Sequence, residues 1–280
     1  MKYKRVIARL DVKNNALVKG IHLEGLRVLG HPSEFADSYY KNGIDEIIYI
    51  DTVASLYERN GLVDLVRQTA EHIFVPLTVG GGIRTLSDVE ELLKSGADKV
   101  CINTGAIRNP KLITEIAEKY GSSTIVVGIE VTNYEGKYLA FTDNGREFTG
   151  LDAIEWSKRA QDLGAGEILL TSVDRDGTGL GVDKVLFERV NQAVTIPIIV
   201  HGGVGNYMQI IEAFNEYDVD SICLASILHY DLINDLKKSD TVLGNKSFIR
   251  SNIIKKNISP ISIDDLKIKL INSGVRVRVL

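Results

Sequence analysis

Short, nearly unbroken apolar runs alternate along the chain with longer stretches of helical period. The runs, rich in valine and isoleucine, fall at 5–12, 46–51, 75–80, 99–103, 124–131, 167–172, 197–201 and 221–226. An apolar run without polar alternates is how a parallel strand reads, because both of its faces are covered. Between these runs, 86–95, 111–120, 151–163 and 208–217 place their apolar residues on one helical face. Strand and helix in regular alternation predict βαβ units and a parallel sheet.

The pattern occurs twice, at an offset of roughly 120 positions. Gly43-Ile44-Asp45-Glu46-Ile47 answers to Gly164-Ala165-Gly166-Glu167-Ile168, and Pro76-Leu77-Thr78-Val79-Gly80-Gly81-Gly82 to Pro197-Ile198-Ile199-Val200-His201-Gly202-Gly203. Asn103-Thr104 answers to Ala225-Ser226. A repeat that holds several elements marks a duplicated half-fold rather than a solenoid of short units. Eight units in two similar halves predict an α/β protein with a closed (β/α)8 barrel, a TIM barrel of two half-barrels, as a single domain over 1–280.

Composition adds bounds rather than direction. A net charge of −4 gives no reason to expect nucleic acid or a membrane as partner. No run approaches the ~20 apolar residues of a membrane span and no secretory signal precedes Arg5, so the expectation is a cytoplasmic protein. Cys101 and Cys223 sit at matching repeat positions inside apolar runs and read as small hydrophobes, not as a disulfide or a reactive thiol. The reading calls for neither a metal nor a cofactor.

Chemistry in such a barrel belongs where strands end and βα loops begin. Gly81-Gly82 with Asn103-Thr104 form one candidate phosphate cup, and Gly202-Gly203 with Ala225-Ser226 form its twin across the mouth, with Gly177 nearby. Glycine lets backbone N–H groups approach an anion, and a hydroxyl or amide at a helix start completes the cradle. Two cups imply a substrate with a phosphate at each end. Asp11 and Glu130 end the first and fifth strands and should face each other, as a pair of acids placed for proton transfer on the middle of the substrate. Lys19 lies in a glycine-punctuated loop, 13–32, which is either a solvated loop or a lid closing on the substrate. Asp51, Thr171, Asp176, Thr178 and His201 reach the same mouth.

At the opposite end, Arg5, Glu46, Lys99 and Glu167 all begin strands. Charge at a barrel floor is ordinarily a matter of stability.

Ile7-Ala8-Arg9-Leu10-Asp11-Val12, Leu17-Val18-Lys19-Gly20, Thr78-Val79-Gly80-Gly81-Gly82-Ile83, the stretch 99–104 and Gly166-Glu167-Ile168-Leu169-Leu170-Thr171-Ser172 closely resemble the cyclase subunit family of imidazole glycerol phosphate synthase, in histidine biosynthesis. The likeness covers roughly 1–232 and resumes at 262–280. It implies a lyase that takes ammonia from a glutaminase subunit on the barrel floor, forming a heterodimer. It also implies a bis-phosphorylated ribulosyl-formimino-aminoimidazole carboxamide nucleotide as substrate. The products are imidazole glycerol phosphate and the aminoimidazole carboxamide nucleotide. Under the resemblance Asp11 is the principal acid–base residue, Lys19 the lid lysine, and Arg5, Glu46, Lys99 and Glu167 an ammonia gate. Asp98 would face the glutaminase.

Three departures stand beside the likeness. The family carries aspartate where this chain has Glu130, and a small residue where it has His201. Residues 233–261 form an insertion between the eighth strand and a last helix that restarts at Ser262-Ile263-Asp264-Asp265. Leaving from the catalytic face, the insertion is a surface loop, a cover for the mouth or a dock for a second protein. These departures leave open an alternative in which a cyclase-like paralogue channels ammonia to a sugar amidotransferase of surface-glycan biosynthesis.

Overall fold

The computed structural model describes residues 3–54, 62–236 and 257–279. Its strands and helices run β1 (Arg5–Lys13), β2 (Ala16–Ile21), β3 (Glu24–Gly30), α1 (Pro32–Lys41), β4 (Glu46–Asp51), α2 (Val63–Ala70), β5 (Leu77–Gly80), α3 (Leu86–Lys94) and β6 (Lys99–Ile102). They continue with α4 (Thr104–Arg108), α5 (Lys111–Tyr120), β7 (Ile125–Tyr134), β8 (Lys137–Thr142), β9 (Glu147–Asp152), α6 (Ala153–Asp162), β10 (Glu167–Ser172), α7 (Lys184–Ala193), β11 (Ile198–His201), α8 (Tyr207–Asn215), β12 (Ser221–Leu224), α9 (Ser226–Leu236) and α10 (Ile263–Asn272).

The parallel strands pair in the order β10-β11-β12-β1-β4-β5-β6-β7, and β7 pairs back to β10 to close the barrel. Closure removes the sheet edges. Alternation along β1 then sorts its side chains: Val6, Ala8, Leu10 and Val12 join the large core between sheet and helices, while Ile7 joins Ile48, Cys101, Val126, Leu169, Ile199 and Cys223 in a separate apolar cluster that fills the barrel. Arg5, Ile7, Arg9 and Asp11 therefore share the inward face and mark its levels from floor to mouth, roughly 20 Å at the usual strand rise. Both cysteines are unbridged members of the inner cluster, and burial pushes the Cys101 thiol up to about 12.

Repeat-related helices also start alike. Thr85 caps α3 through the Asp88 amide and Asp88 reaches back, while Asn206 and Gln209 form the same reciprocal box at α8. Ser262 caps α10 by accepting from the Asp265 amide at 3.1 Å. That last helix is fixed to the floor by Lys267, which donates to Asp45 Oδ1 at 2.7 Å.

Several sequence boundaries are corrected. The stretch 13–32 is not a loop but the antiparallel hairpin β2–β3, paired to β1. Its twin β8–β9 continues from β7, so the helix expected from 151 begins at Ala153 after a strand. The chain turns into each hairpin through left-handed residues, Asn14 and Asn15 between β1 and β2 and Glu135 and Gly136 between β7 and β8. Of the expected insertion, α9 carries the chain past 233 to Leu236, and 237–256 lie outside the described residues. The returning end lies on the mouth: Ser259 N donates to Gly205 O at 2.7 Å, and the Asn257 carbonyl leaves no room for a side chain at Gly179 or Gly205.

Candidate active site

The first cup is open. Gly81, Gly82, Asn103 and Thr104 line a cavity of about 170 Å³ together with Asp51, Glu130, Thr171 and Arg9. Gly81 adopts φ +103°, and a Cβ there would stand 2.5 Å from the Asp51 carbonyl oxygen. Its repeat mate Gly202, at φ +99°, would meet the Ser172 carbonyl oxygen at the same 2.5 Å. Each glycine lets its loop lie against the end of the neighbouring strand. Asp51 accepts from the amides of Val53 and Ala54, both at 3.0 Å, and so shapes the rim. Asn103 gives its amide to the Phe141 carbonyl, and Thr104 is tied to Asp143.

The second cup is tight. Asp176, Gly177, His201, Gly202, Gly203, Ala225 and Ser226 come together as expected, but they enclose only about 10 Å³. The imidazole of His201 takes the space: its Nδ1 donates to the Cys223 carbonyl at 2.9 Å, which turns Nε2 toward Asp176 Oδ1 at 3.5 Å. Gly177 carries φ +69° and packs on the Gly20 carbonyl, so it joins this loop to the hairpin. The Thr178 hydroxyl donates to the Arg175 carbonyl at 2.6 Å and holds the same turn.

Lys19 is buried and ion-paired with Asp176, at 2.8 and 3.0 Å to its two oxygens, instead of standing free for a phosphate. The hairpin is thus folded over the mouth, with Leu23 N and His22 N also donating to Asp176. Burial works against the Asp176 charge, but Lys19 and His201 outweigh it and hold the carboxyl well below the usual carboxylate range.

Asp11 and Glu130 both face the barrel axis, with Arg9 near them. Arg9 Nε donates to Asp11 Oδ1 at 2.8 Å and Nη1 to Thr171 Oγ1 at 3.2 Å. Glu130 Oε2 accepts from Gly145 N at 2.7 Å, so its extra methylene reaches the turn of the β8–β9 hairpin that arches over the cavity. Burial pushes the Glu130 carboxyl up to about 7; the Arg9 charge and the Gly145 amide pull it back only in part, and Asp11 and Asp143 push it further up. A carboxyl poised there exchanges protons at neutral pH.

That perturbation has a cost in stability. Between pH 4.5 and about 7 the folded protein keeps a proton on Glu130 that the unfolded chain has released. The contribution of this group to stability is full below pH 4.5 and falls as pH rises to about 7, a loss of about 3 kcal/mol. Glu130→Gln, neutral and isosteric, is expected to gain up to about 3 kcal/mol over the wild type at pH 8 and nothing at pH 4. Urea titrations at the two pH values measure this; an equal difference at both would refute the raised carboxyl.

The floor residues form an alternating ring. Arg5 bonds Glu46 at 2.5 Å and also bonds Glu167, while Lys99 reaches Glu46 at 3.3 Å and Glu167 at 2.9 Å. Asp98 is exposed beside the ring, yet one oxygen accepts from Leu77 N at 2.8 Å and fixes the start of β5. Arg9, Arg84, Arg108 and Asn144 also line the mouth and had no place in the sequence reading. Arg84 follows the glycine triplet directly and Arg108 lies one turn beyond Thr104, so adjacency to the cup was a usable signal for both. Among the described residues no group of histidine, cysteine, aspartate and glutamate could hold a metal, and no helix is long and apolar enough to cross a membrane.

A duplicated (β/α)8 barrel with two buried acids and a glycine-lined cavity at its mouth defines the class: a barrel enzyme scaffold. The family model described as histidine biosynthesis protein matches residues 5–234, and the chain belongs to that family. It is similar to imidazole glycerol phosphate synthase subunit HisF of Legionella pneumophila, 53% identical over 212 residues, 75% of this chain and 98% of that protein. The subunit of the same name from Alkaliphilus metalliredigens is 45% identical over 232 residues, 82% of this chain and 92% of that one. That from Bacillus cereus strain G9842 is 49% identical over 228 residues, 81% and 90%.

Proposed function

We propose that the protein is the ammonia-dependent cyclase of histidine biosynthesis, a cytoplasmic lyase that works with a glutaminase subunit docked on the barrel floor. The carrying observation is the stacking of levels along one barrel axis: a ring of four charges, an apolar layer, and two acids beside an open glycine cup. Neutral ammonia crosses an apolar layer at little cost, whereas ammonium does not, since an unpaired charge in such surroundings is strongly disfavoured. Arg5, Glu46, Lys99 and Glu167 gate its entry, and the exposed Asp98 meets the glutaminase.

At the mouth the two cups hold the phosphates of the ribulosyl-formimino-aminoimidazole carboxamide nucleotide: Gly81, Gly82, Asn103 and Thr104 at one end, and Gly177, Gly202, Gly203 and Ser226 at the other once the His201 imidazole turns out of the space it fills. Ammonia attacks between them. Asp11 and Glu130 take and return the protons as the imidazole ring closes, water leaves, and the aminoimidazole carboxamide nucleotide departs. A group near its working pH does this most efficiently, which suits a Glu130 carboxyl near 7. The β2–β3 hairpin with Lys19 acts as the lid, and Asp51, Thr171, Asp176, Thr178 and His201 complete the mouth. The returning end of 233–261 covers the second cup, on the side where a second protein would dock.

The test is conversion of that nucleotide with saturating ammonium salt at alkaline pH and no glutaminase. Steady turnover is expected. Tight nucleotide binding without turnover would instead favour a barrel that passes its ammonia to a different acceptor enzyme, a reading that the crowding of the second cup by His201 would then explain.

A further inference from the structure

Arg9 stands on the inward face of β1, one level above the apolar layer and one below Asp11, and is 2% exposed. Two of its three nitrogens are committed, Nε to Asp11 and Nη1 to Thr171. The third, Nη2, is buried without a hydrogen-bond partner, in a residue that lines the open cavity shared by Glu130 and the first cup. Buried donors are nearly always paired, so an orphaned one at such a site points to a ligand oxygen.

The surroundings say what kind of oxygen. Asp11 already pairs with Arg9, and Lys19 with Asp176, so the local cations and carboxylates are matched. A further full anion is not needed there, and Glu130 faces the same space. The fitting acceptor is a neutral oxygen that gains negative charge during reaction. We infer that Arg9 Nη2 donates a hydrogen bond to the ketose carbonyl oxygen of the ribulosyl arm and makes Arg9 a catalytic residue of the amination step.

This rests on the cyclase reading above. In the step, the ammonia lone pair forms the new C–N bond while the C=O π pair moves onto the oxygen. One proton passes from nitrogen through a mouth carboxylate to that oxygen, giving the carbinolamine. Arg9 carries no proton to or from the substrate; clamped on two sides, it offers a fixed donor where charge develops, and such donors act most strongly in a dry site.

Without ammonia the nucleotide binds but does not react, which allows a direct reading. The probe is the nucleotide labelled with carbon-13 at the ketose carbonyl, followed by infrared difference spectroscopy on wild type, Arg9→Met and Arg9→Lys. The lysine variant keeps a cation beside Asp11 but has no second nitrogen to donate. The carbonyl stretch is expected at lower frequency in the wild type than in free nucleotide, with the displacement lost in both variants. Turnover with ammonium salt should fall about 10²-fold in each, with nucleotide affinity within about threefold. An equal displacement in wild type and both variants overturns the inference, as does turnover with no displacement, while the cyclase reading survives. Displacement without wild-type turnover overturns the cyclase reading and with it the catalytic role of Arg9, leaving only the hydrogen bond, and failure of the nucleotide to bind removes both.

Discussion

Asp11→Asn is expected to lower turnover of the bis-phosphorylated nucleotide with saturating ammonium salt by about 10³-fold, while KM stays within a few-fold. The reason is the separation of tasks in the mouth. Under the proposed function affinity resides in the glycine cups, which the change does not touch, whereas Asp11 is buried on the inward face of β1 with one oxygen held by Arg9 and within electrostatic reach of Glu130. Asparagine keeps the carbonyl oxygen that accepts from Arg9 Nε, so the fold should persist with unchanged circular dichroism. What it loses is the proton-accepting charge. It also removes one of the carboxylates that raise Glu130, so a pH–rate profile of the residual activity, at constant free ammonia, should show the Glu130 inflection moved below about 7. Retention of more than a tenth of the wild-type rate would sink Asp11 as the acid–base group.

The barrel was legible because its strands are buried on both faces, so that 46–51 or 167–172 cannot be mistaken for anything half-solvated. The two hairpins were not. In β2–β3 the outer strand has mixed burial, and glycines at 20, 25 and 30 read as loop punctuation. Yet Lys13-Asn14-Asn15-Ala16 carries a turn signal, since asparagine tolerates the left-handed backbone that both positions adopt. The placement of Asp11, Glu130, the glycine pairs and the four floor charges at the strand ends followed from the pattern alone. Arg9 did not, although strand alternation puts it on the same face as Arg5 and Asp11; a charged residue in the middle of an apolar run was the unused clue. The occlusion of the second cup depends on the rotamer of His201, and the bond between Lys19 and Asp176 joins residues 157 positions apart, neither of which local pattern can reveal.

That bond carries the second large effect. Lys19→Met is expected to open the β2–β3 lid and to lower turnover by one to two orders of magnitude, about the scale of a misplaced closing element. In the wild type the ammonium group is buried with the carboxylate it neutralises, and Asp176 also accepts from the backbone of Leu23. Methionine fills the volume but leaves Asp176 with the Leu23 amide and His201 at 3.5 Å in place of a full cation, and a buried charge stripped of its partner costs about 3–5 kcal/mol. The molecule can avoid most of that cost by releasing the hairpin tip, so that water reaches Asp176. The loss should therefore be local: amide exchange of 17–23 accelerates strongly, while the barrel strands keep their protection. Because the folded-state carboxyl is depressed, its stabilisation is present above the ordinary aspartate range and disappears as pH falls through the folded value. Wild type and variant should thus converge in hairpin protection under strong acid and diverge at neutral pH. Uniform loss of protection across the barrel would mean that Lys19 supports the whole fold instead of holding a lid.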